Sequence, residues 1–225
     1  MFKKIFKYQH WTILILIALL CFIYFYLEND TALLKGYLWG IRTLHWFVLA
    51  ILSPIIHQFY VLVCWRSELH FNSISKLLGE RGFKLYKIGF ATLILSRPIT
   101  IILLAFSNTM TLNINPYFSY ALSIVLLIPS SYLFYSVIRY FGMNRAFGAD
   151  HFYPEKFKNA SFIKQGIFKY TENGMYIYGF LILWIPGILL QSRAALLAAL
   201  FNHIFIWAHH YFTEVPDIKI IYKGK

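Results

Sequence analysis

The sequence predicts an all-α polytopic transmembrane bundle of about six spans, on three observations. First, 59% of the 225 residues are hydrophobic and only 13% are charged, and mean hydropathy is +0.59. That composition needs lipid as the solvent for much of the surface. Second, apolar runs close to the roughly 20 residues that cross hydrocarbon recur along the chain. Third, 17 of the 21 Lys and Arg residues fall on one side of the resulting topology, the asymmetry that orients membrane helices.

Taken in order, the apolar runs cover residues 11–27, 44–65, 88–106, 117–138, 175–190 and 194–212. The first is long and aromatic, and Glu28-Asn29-Asp30-Thr31 after it offers no small-residue cleavage site. It is therefore expected to stay as a span and not to be removed as a signal peptide. The fifth run is the shortest, contains Pro186 and Gly187, and reaches the sixth through Gln191-Ser192-Arg193 alone. The last two runs are expected to form a tight helical hairpin, with five spans plus a re-entrant segment as the alternative. No internal repeat or low-complexity linker divides the chain, so residues 1–225 are expected to form one transmembrane domain. The longest loop, residues 139–174, mixes turn residues, aromatics and charge around Gly148-Ala149-Asp150-His151, which suits a folded interfacial segment.

The basic side collects Lys3, Lys4 and Lys7, then Arg66, Lys76, Arg81, Lys84 and Lys87, then Arg139 through Lys169, then Lys219, Lys223 and Lys225. Both termini are expected in the cytoplasm. The other side keeps Lys35, Arg42 and Arg193 beside Glu28 and Asp30. The net charge of +12 is thus assigned to topology and to anionic lipid headgroups, not to nucleic acid. Cys21 and Cys64 lie inside apolar runs, which excludes a disulfide framework and a CxxC metal or redox site.

Two polar motifs fall on the basic side. One is Asn173-Gly174-Met175-Tyr176 with Gly179, at the mouth of the fifth run; the other is Glu214-Val215-Pro216-Asp217, where the last helix ends. An acidic helix end beside a glycine-containing turn is expected to hold a small cationic cofactor; the bland alternative is a turn that starts one helix and a solvated end that stops another. His210, just before Glu214, is a candidate proton acceptor, with interfacial packing as its alternative. No HxxxH with an accompanying Glu occurs, so no metal is expected. Arg97, in the middle of the third run, must face protein, a carboxylate or a lipid phosphate. Asp150 with His151, and Glu68 with His70, are candidates for the substrate entrance.

These residues resemble the C-terminal half of the integral-membrane methyltransferases, the group of phosphatidylethanolamine N-methyltransferases and isoprenylcysteine carboxyl methyltransferases, which use S-adenosylmethionine. In that group the first motif reads approximately RHPxYxG or NPMYxG. The second is an acidic pair before a Pro, with a Tyr six residues after that Pro in the phospholipid enzymes. This sequence keeps Asn173, Met175, Tyr176, Glu214, Pro216 and Tyr222 and carries its Gly one place late, at 179. It departs with Glu172 where many members have Arg, with Gly174 for Pro and with Val215 for the second Glu, which Asp217 is expected to replace. The resemblance covers residues 166–222 and sets the cofactor-binding half at about residues 139–225.

The resemblance implies that Asn173, Gly174, Met175, Tyr176, Gly179, Glu214, Pro216 and Asp217 bind S-adenosylmethionine; the residues themselves add His210 with Glu214 as catalytic candidates and Arg97, Asp150 and His151 toward the substrate. The residue chemistry agrees. Glu214 and Asp217 suit the amino group or ribose hydroxyls, helix-start amides around Gly174 suit the carboxylate, and Tyr176 and Tyr178 suit the adenine or the sulfonium. Gly174 and Gly179 are expected to supply positive φ or space without a Cβ. The implied acceptor is a membrane lipid, a phospholipid amine first. Prenyl-cysteine carboxyl or small-thiol methylation, a related membrane reductase and a catalytically silent scaffold are the alternatives. The bacterial inner membrane or the endoplasmic reticulum would be its site, and the sequence does not indicate an oligomeric state.

Overall fold

The computed structural model describes residues 2–30 and 32–222. Both termini, together with Lys223 and Lys225 of the charge argument, lie outside the described residues. In chain order, α1 (Phe2–Ile5) and α2 (Gln9–Asn29) precede an antiparallel ribbon of β1 (Tyr37–Leu38) and β2 (Ile41–Arg42). Next come α3 (Thr43–Phe71), α4 (Ser73–Leu78), α5 (Gly82–Ser107) and α6 (Pro116–Ser136), the last prolonged by a π turn at Val137–Phe141. The interfacial loop folds into three short pieces, α7 (Met143–Ala146), α8 (Ala149–Phe152) and α9 (Pro154–Phe157). The chain closes with α10 (Gly174–Ile177), a 3-10 segment at Gly179–Leu183, α11 (Ile185–Leu189), α12 (Arg193–His209), a π turn at His210–Glu214, and α13 (Val215–Ile221).

The architecture is the all-α polytopic bundle expected from the sequence. Among the described residues, four helical stretches are long and apolar enough to cross a membrane: Gln9–Asn29, Thr43–Phe71, Ser73–Ser107 and Pro116–Phe141. The fifth run is no single helix. Gly174–Leu189 breaks into α10, the 3-10 segment and α11, because Pro186 lacks an N–H and Gly179 and Gly187 weaken helical propagation. It still forms the expected hairpin with α12. Gln191 turns the chain at φ 52°, Ser192 N–H donates to the Gly187 carbonyl at 2.8 Å, and the Ser192 hydroxyl caps α12 by accepting from Ala195 N–H at 3.2 Å.

Helix α12 is the buried centre. Ala194, Ala195, Ala198, Ala199 and Ala208 are all 0–1% exposed, and such small residues let backbones approach where no hydrophobic drive separates helix from lipid. Proline supplies a further tie. Pro54 has no N–H to give the Ala50 carbonyl, and the Asn202 amide of α12 fills that vacancy at 3.3 Å. At the end away from the basic residues, Asn108 donates to the Leu33 and Lys35 carbonyls and accepts from Ser192, Ala194 and Thr111, while Arg193 pairs with Asp30 at 2.6 Å.

The two motif glycines are packing positions, which corrects the expectation of positive φ at a cofactor. Neither is among the positive-φ glycines. A Cβ on Gly174 would meet Ile167, Leu133 and Phe168 side chains, and one on Gly179 would sit 2.9 Å from a Leu133 methyl. Gly179→Leu is therefore expected to lower the thermal stability of the cofactor-free protein by about 1–3 kcal/mol through overpacking against α6, read as a fall in unfolding temperature in detergent.

Candidate functional site

The site begins with a carbonyl that a proline leaves free. In a continuous helix the residue at 216 would donate to the Phe212 carbonyl, but Pro216 has no N–H. Arg66, from the end of α3, takes that oxygen at 2.9 Å, and Gln9 donates to it at 3.0 Å. Arg66 also donates to the Ile5, Lys7 and Thr213 carbonyls and pairs through Nε with Asp217 at 3.0 Å. Arg66 and Asp217 are each 1% exposed. One guanidinium thus joins the N-terminal segment, α3 and the last helix.

From Asp217 a polar chain runs into the interfacial loop. His151 Nε2 lies 3.6 Å from the second Asp217 oxygen, and His151 Nδ1 donates to Asp150 at 2.9 Å. Tyr222 donates its hydroxyl to the other Asp150 oxygen at 3.0 Å and accepts from Arg145 at 3.0 Å. The Trp65 ring stacks on the imidazole at 4.0 Å, and Trp65 is itself held by donating to the Tyr86 hydroxyl at 2.6 Å. Gly148 makes this approach possible: its φ is +83°, and a Cβ there would collide with the Trp65 indole.

Burial opposes the imidazolium, but Asp150 and then Asp217 overcome it and carry the His151 pKa up to about 9. Burial likewise opposes ionised Asp150, but His151 holds its carboxyl below the usual carboxylate range. Because His151 is raised on folding, its stabilisation is complete below its ordinary value of 6.5 and is lost as pH rises through about 9.

The second cluster unites the two sequence motifs. His210 Nδ1 lies 3.2 Å from Glu214 Oε2, and the Tyr176 ring stands against the His210 ring at 4.4 Å, with Trp207 at 5.7 Å from Tyr176. The Glu214 side chain keeps 16% of its surface exposed. Burial first, and the nearby Asp150 charge second, push its pKa up to about 8, so near neutral pH it is a protonated carboxyl awaiting a positive partner.

Of the expected site residues, Tyr176, His210 and Glu214 meet here, and Asp150, His151 and Asp217 meet in the polar chain. Asp217, expected at a cofactor, is instead committed to Arg66 and His151. Pro216 acts through the carbonyl it frees. Met175 packs with Leu133, Val137, Ile167 and Phe168. Asn173 starts α10 without a side-chain cap, and α10 is one turn long, too short for the anion-binding field expected of a helix start. Arg97 joins neither cluster: it is 15 residues into α5, about 22 Å from that helix's basic end, donating to the Pro54 carbonyl at 3.5 Å and facing the Phe180 ring. Glu68 caps α4, accepting from Ile74 and Ser75 N–H at 2.8 and 3.1 Å. Sequence reasoning missed the pairings of Arg66, Arg145 and Trp65; the first two had been read as topology charges.

Fold and site together define an integral membrane protein with its ionisable groups gathered at the basic end of the bundle. Residues 118–225 match the family model described as phospholipid methyltransferase, a stretch that contains both motifs and the whole of the Glu214 cluster. Over those residues the chain is similar to the phospholipid methyltransferases, which is the likeness the two motifs suggest. No curated protein matches the chain. No solved structure matches it either.

Proposed function

We propose that the protein binds S-adenosylmethionine at the basic end of the bundle and methylates a phospholipid amine that enters from the bilayer. The contact of Tyr176 with His210, which in turn pairs with Glu214, carries this reading, because it brings together two motifs about 40 residues apart in sequence. The donor set fits the group. A carboxyl that burial keeps neutral until a cation arrives, set among aromatic faces, suits a ligand with a sulfonium and an ammonium.

When bound, the cofactor supplies an electrophilic methyl group. Glu214 would hold its positive end, and Tyr176 and Trp207 would offer it ring faces. His210, with Nδ1 engaged by Glu214, has Nε2 to accept the proton that an ammonium headgroup must shed before its nitrogen can attack. Alignment in a water-poor cleft is the main contribution to rate. The excess of Lys and Arg at this end supports a cytoplasmic position for it.

The test is to supply the purified protein with methyl-labelled S-adenosylmethionine and phosphatidylethanolamine in bicelles and to measure cofactor binding separately by calorimetry. Labelled lipid is the expected product. Binding without lipid labelling moves the acceptor to a prenyl-cysteine or thiol, and absence of binding leaves a scaffold.

A further inference from the structure

Between α13 and the N-terminal segment, beside the Arg66–Asp217 pair, lies a cavity of about 570 Å³. Its walls include Lys4, Lys7, Lys219, Trp11 and Phe212, with Arg66 and Asp217 between them. Among the described residues Asp217 is the only carboxylate in the lining, and Arg66 neutralises it. Among the described residues none of the three lysines forms an ion pair. Lys4 rests over the Phe71 ring at 5.9 Å and Lys7 over Tyr8 at 4.9 Å, contacts that leave ammonium N–H groups free to donate. The cavity therefore carries three unbalanced positive charges.

Its other wall is aromatic. Trp11, in the first turn of α2, stacks on Phe212 at 6.3 Å, placing an aromatic floor where the first and last helices leave the apolar zone. Cationic above and aromatic below, the cavity matches an amphiphile with an anionic head. Free phosphate has no use for the aromatic wall, and an uncharged lipid none for three lysines. A zwitterionic amine lipid fits less well, because among the described residues the one lining carboxylate, Asp217, is already paired with Arg66.

We propose that this cavity is a binding site for an acidic phospholipid, separate from the Glu214 cleft, with the headgroup phosphate held by Lys4, Lys7 and Lys219 and the glycerol end against Trp11 and Phe212. The occupant also faces Arg66, so its phosphate reinforces the guanidinium that fixes the N-terminal segment to α13. This inference does not depend on the methyl-transfer reading.

Native mass spectrometry of the full chain, released from phosphatidylcholine nanodiscs containing a minor fraction of phosphatidylglycerol, tests it. One retained phosphatidylglycerol is expected. Joint substitution Lys4→Gln, Lys7→Gln and Lys219→Gln should cut that adduct at least about tenfold, whereas Lys76→Gln, Lys84→Gln and Lys169→Gln, exposed lysines of the same basic side, should leave it. Trp11→Ala should weaken retention without changing the charge. Equal loss in both triple variants would mean diffuse surface electrostatics and would overturn the site. So would undiminished retention in the cavity triple, or displacement of the lipid by millimolar inorganic phosphate, which would make it a free-anion site.

Discussion

Arg66→Ala lowers stability by about 3–5 kcal/mol, seen as a large drop in unfolding temperature in detergent and as early proteolysis of the N-terminal segment. The substitution strands Asp217 as a buried charge with only His151 beside it, and removes the donor from the Ile5, Lys7, Phe212 and Thr213 carbonyls at once. Replacing both partners by apolar residues should recover only part of the loss. Such a swap is often harmless for an isolated buried pair, but here the Ile5, Lys7 and Thr213 carbonyls would still lose the Arg66 donor, while Phe212 keeps Gln9. An unfolding temperature unchanged in Arg66→Ala would mean that Arg66 is solvated.

Under the proposed reading, affinity for S-adenosylmethionine is expected to rise with pH, by up to about tenfold per unit, until the Glu214 pKa of about 8 is reached. Burial raises this carboxyl, so the empty site is protonated at pH 6 and must release a proton to hold a cation. Between pH 6 and 8 the dissociation constant should fall about 50-fold, because the ionised fraction of Glu214 rises from about a hundredth to about a half. Above about pH 8 the gain ends, because the ligand's own α-amino group begins to lose its proton. Glu214→Gln should bind at least about tenfold more weakly than the parent protein at pH 8 and converge with it near pH 6, where the parent carboxyl is also neutral. Calorimetry across that range decides the matter: a flat profile in the parent protein, or one retained in Glu214→Gln, removes Glu214 from the site.

Much of this was legible in the chain because membrane helices write a one-dimensional signal. The runs that became α2, α3, α5 and α6 are lipid-length stretches of apolar residues, and Pro186 with the short Gln191–Arg193 connection announced the broken hairpin. Glu214 and His210 were readable together because four residues on a helix bring side chains to the same face. The pairing of Arg66 with Asp217 was not, since they are 151 residues apart and each had a local explanation, one as a topology charge and one as a motif carboxylate. The backbone of Gly174 and Gly179 was not legible for a related reason: neither takes the expected positive φ. A motif glycine looks the same whether its missing Cβ makes room for a ligand or for Leu133.

The wide turn at His210–Glu214 also governs where the chain tolerates a change of length. At about 100° per residue in an unbroken α-helix, Ile221 would point roughly a third of a turn away from the face of His209. The wide turn absorbs one residue, so that His209, Thr213, Asp217 and Ile221, all buried, stay in phase. Descendants of this sequence can therefore lose a residue beside the exposed Tyr211 and keep the phase, healing the helix as they do so. The same loss anywhere in α13 before Asp217 would swing that carboxylate out of reach of Arg66.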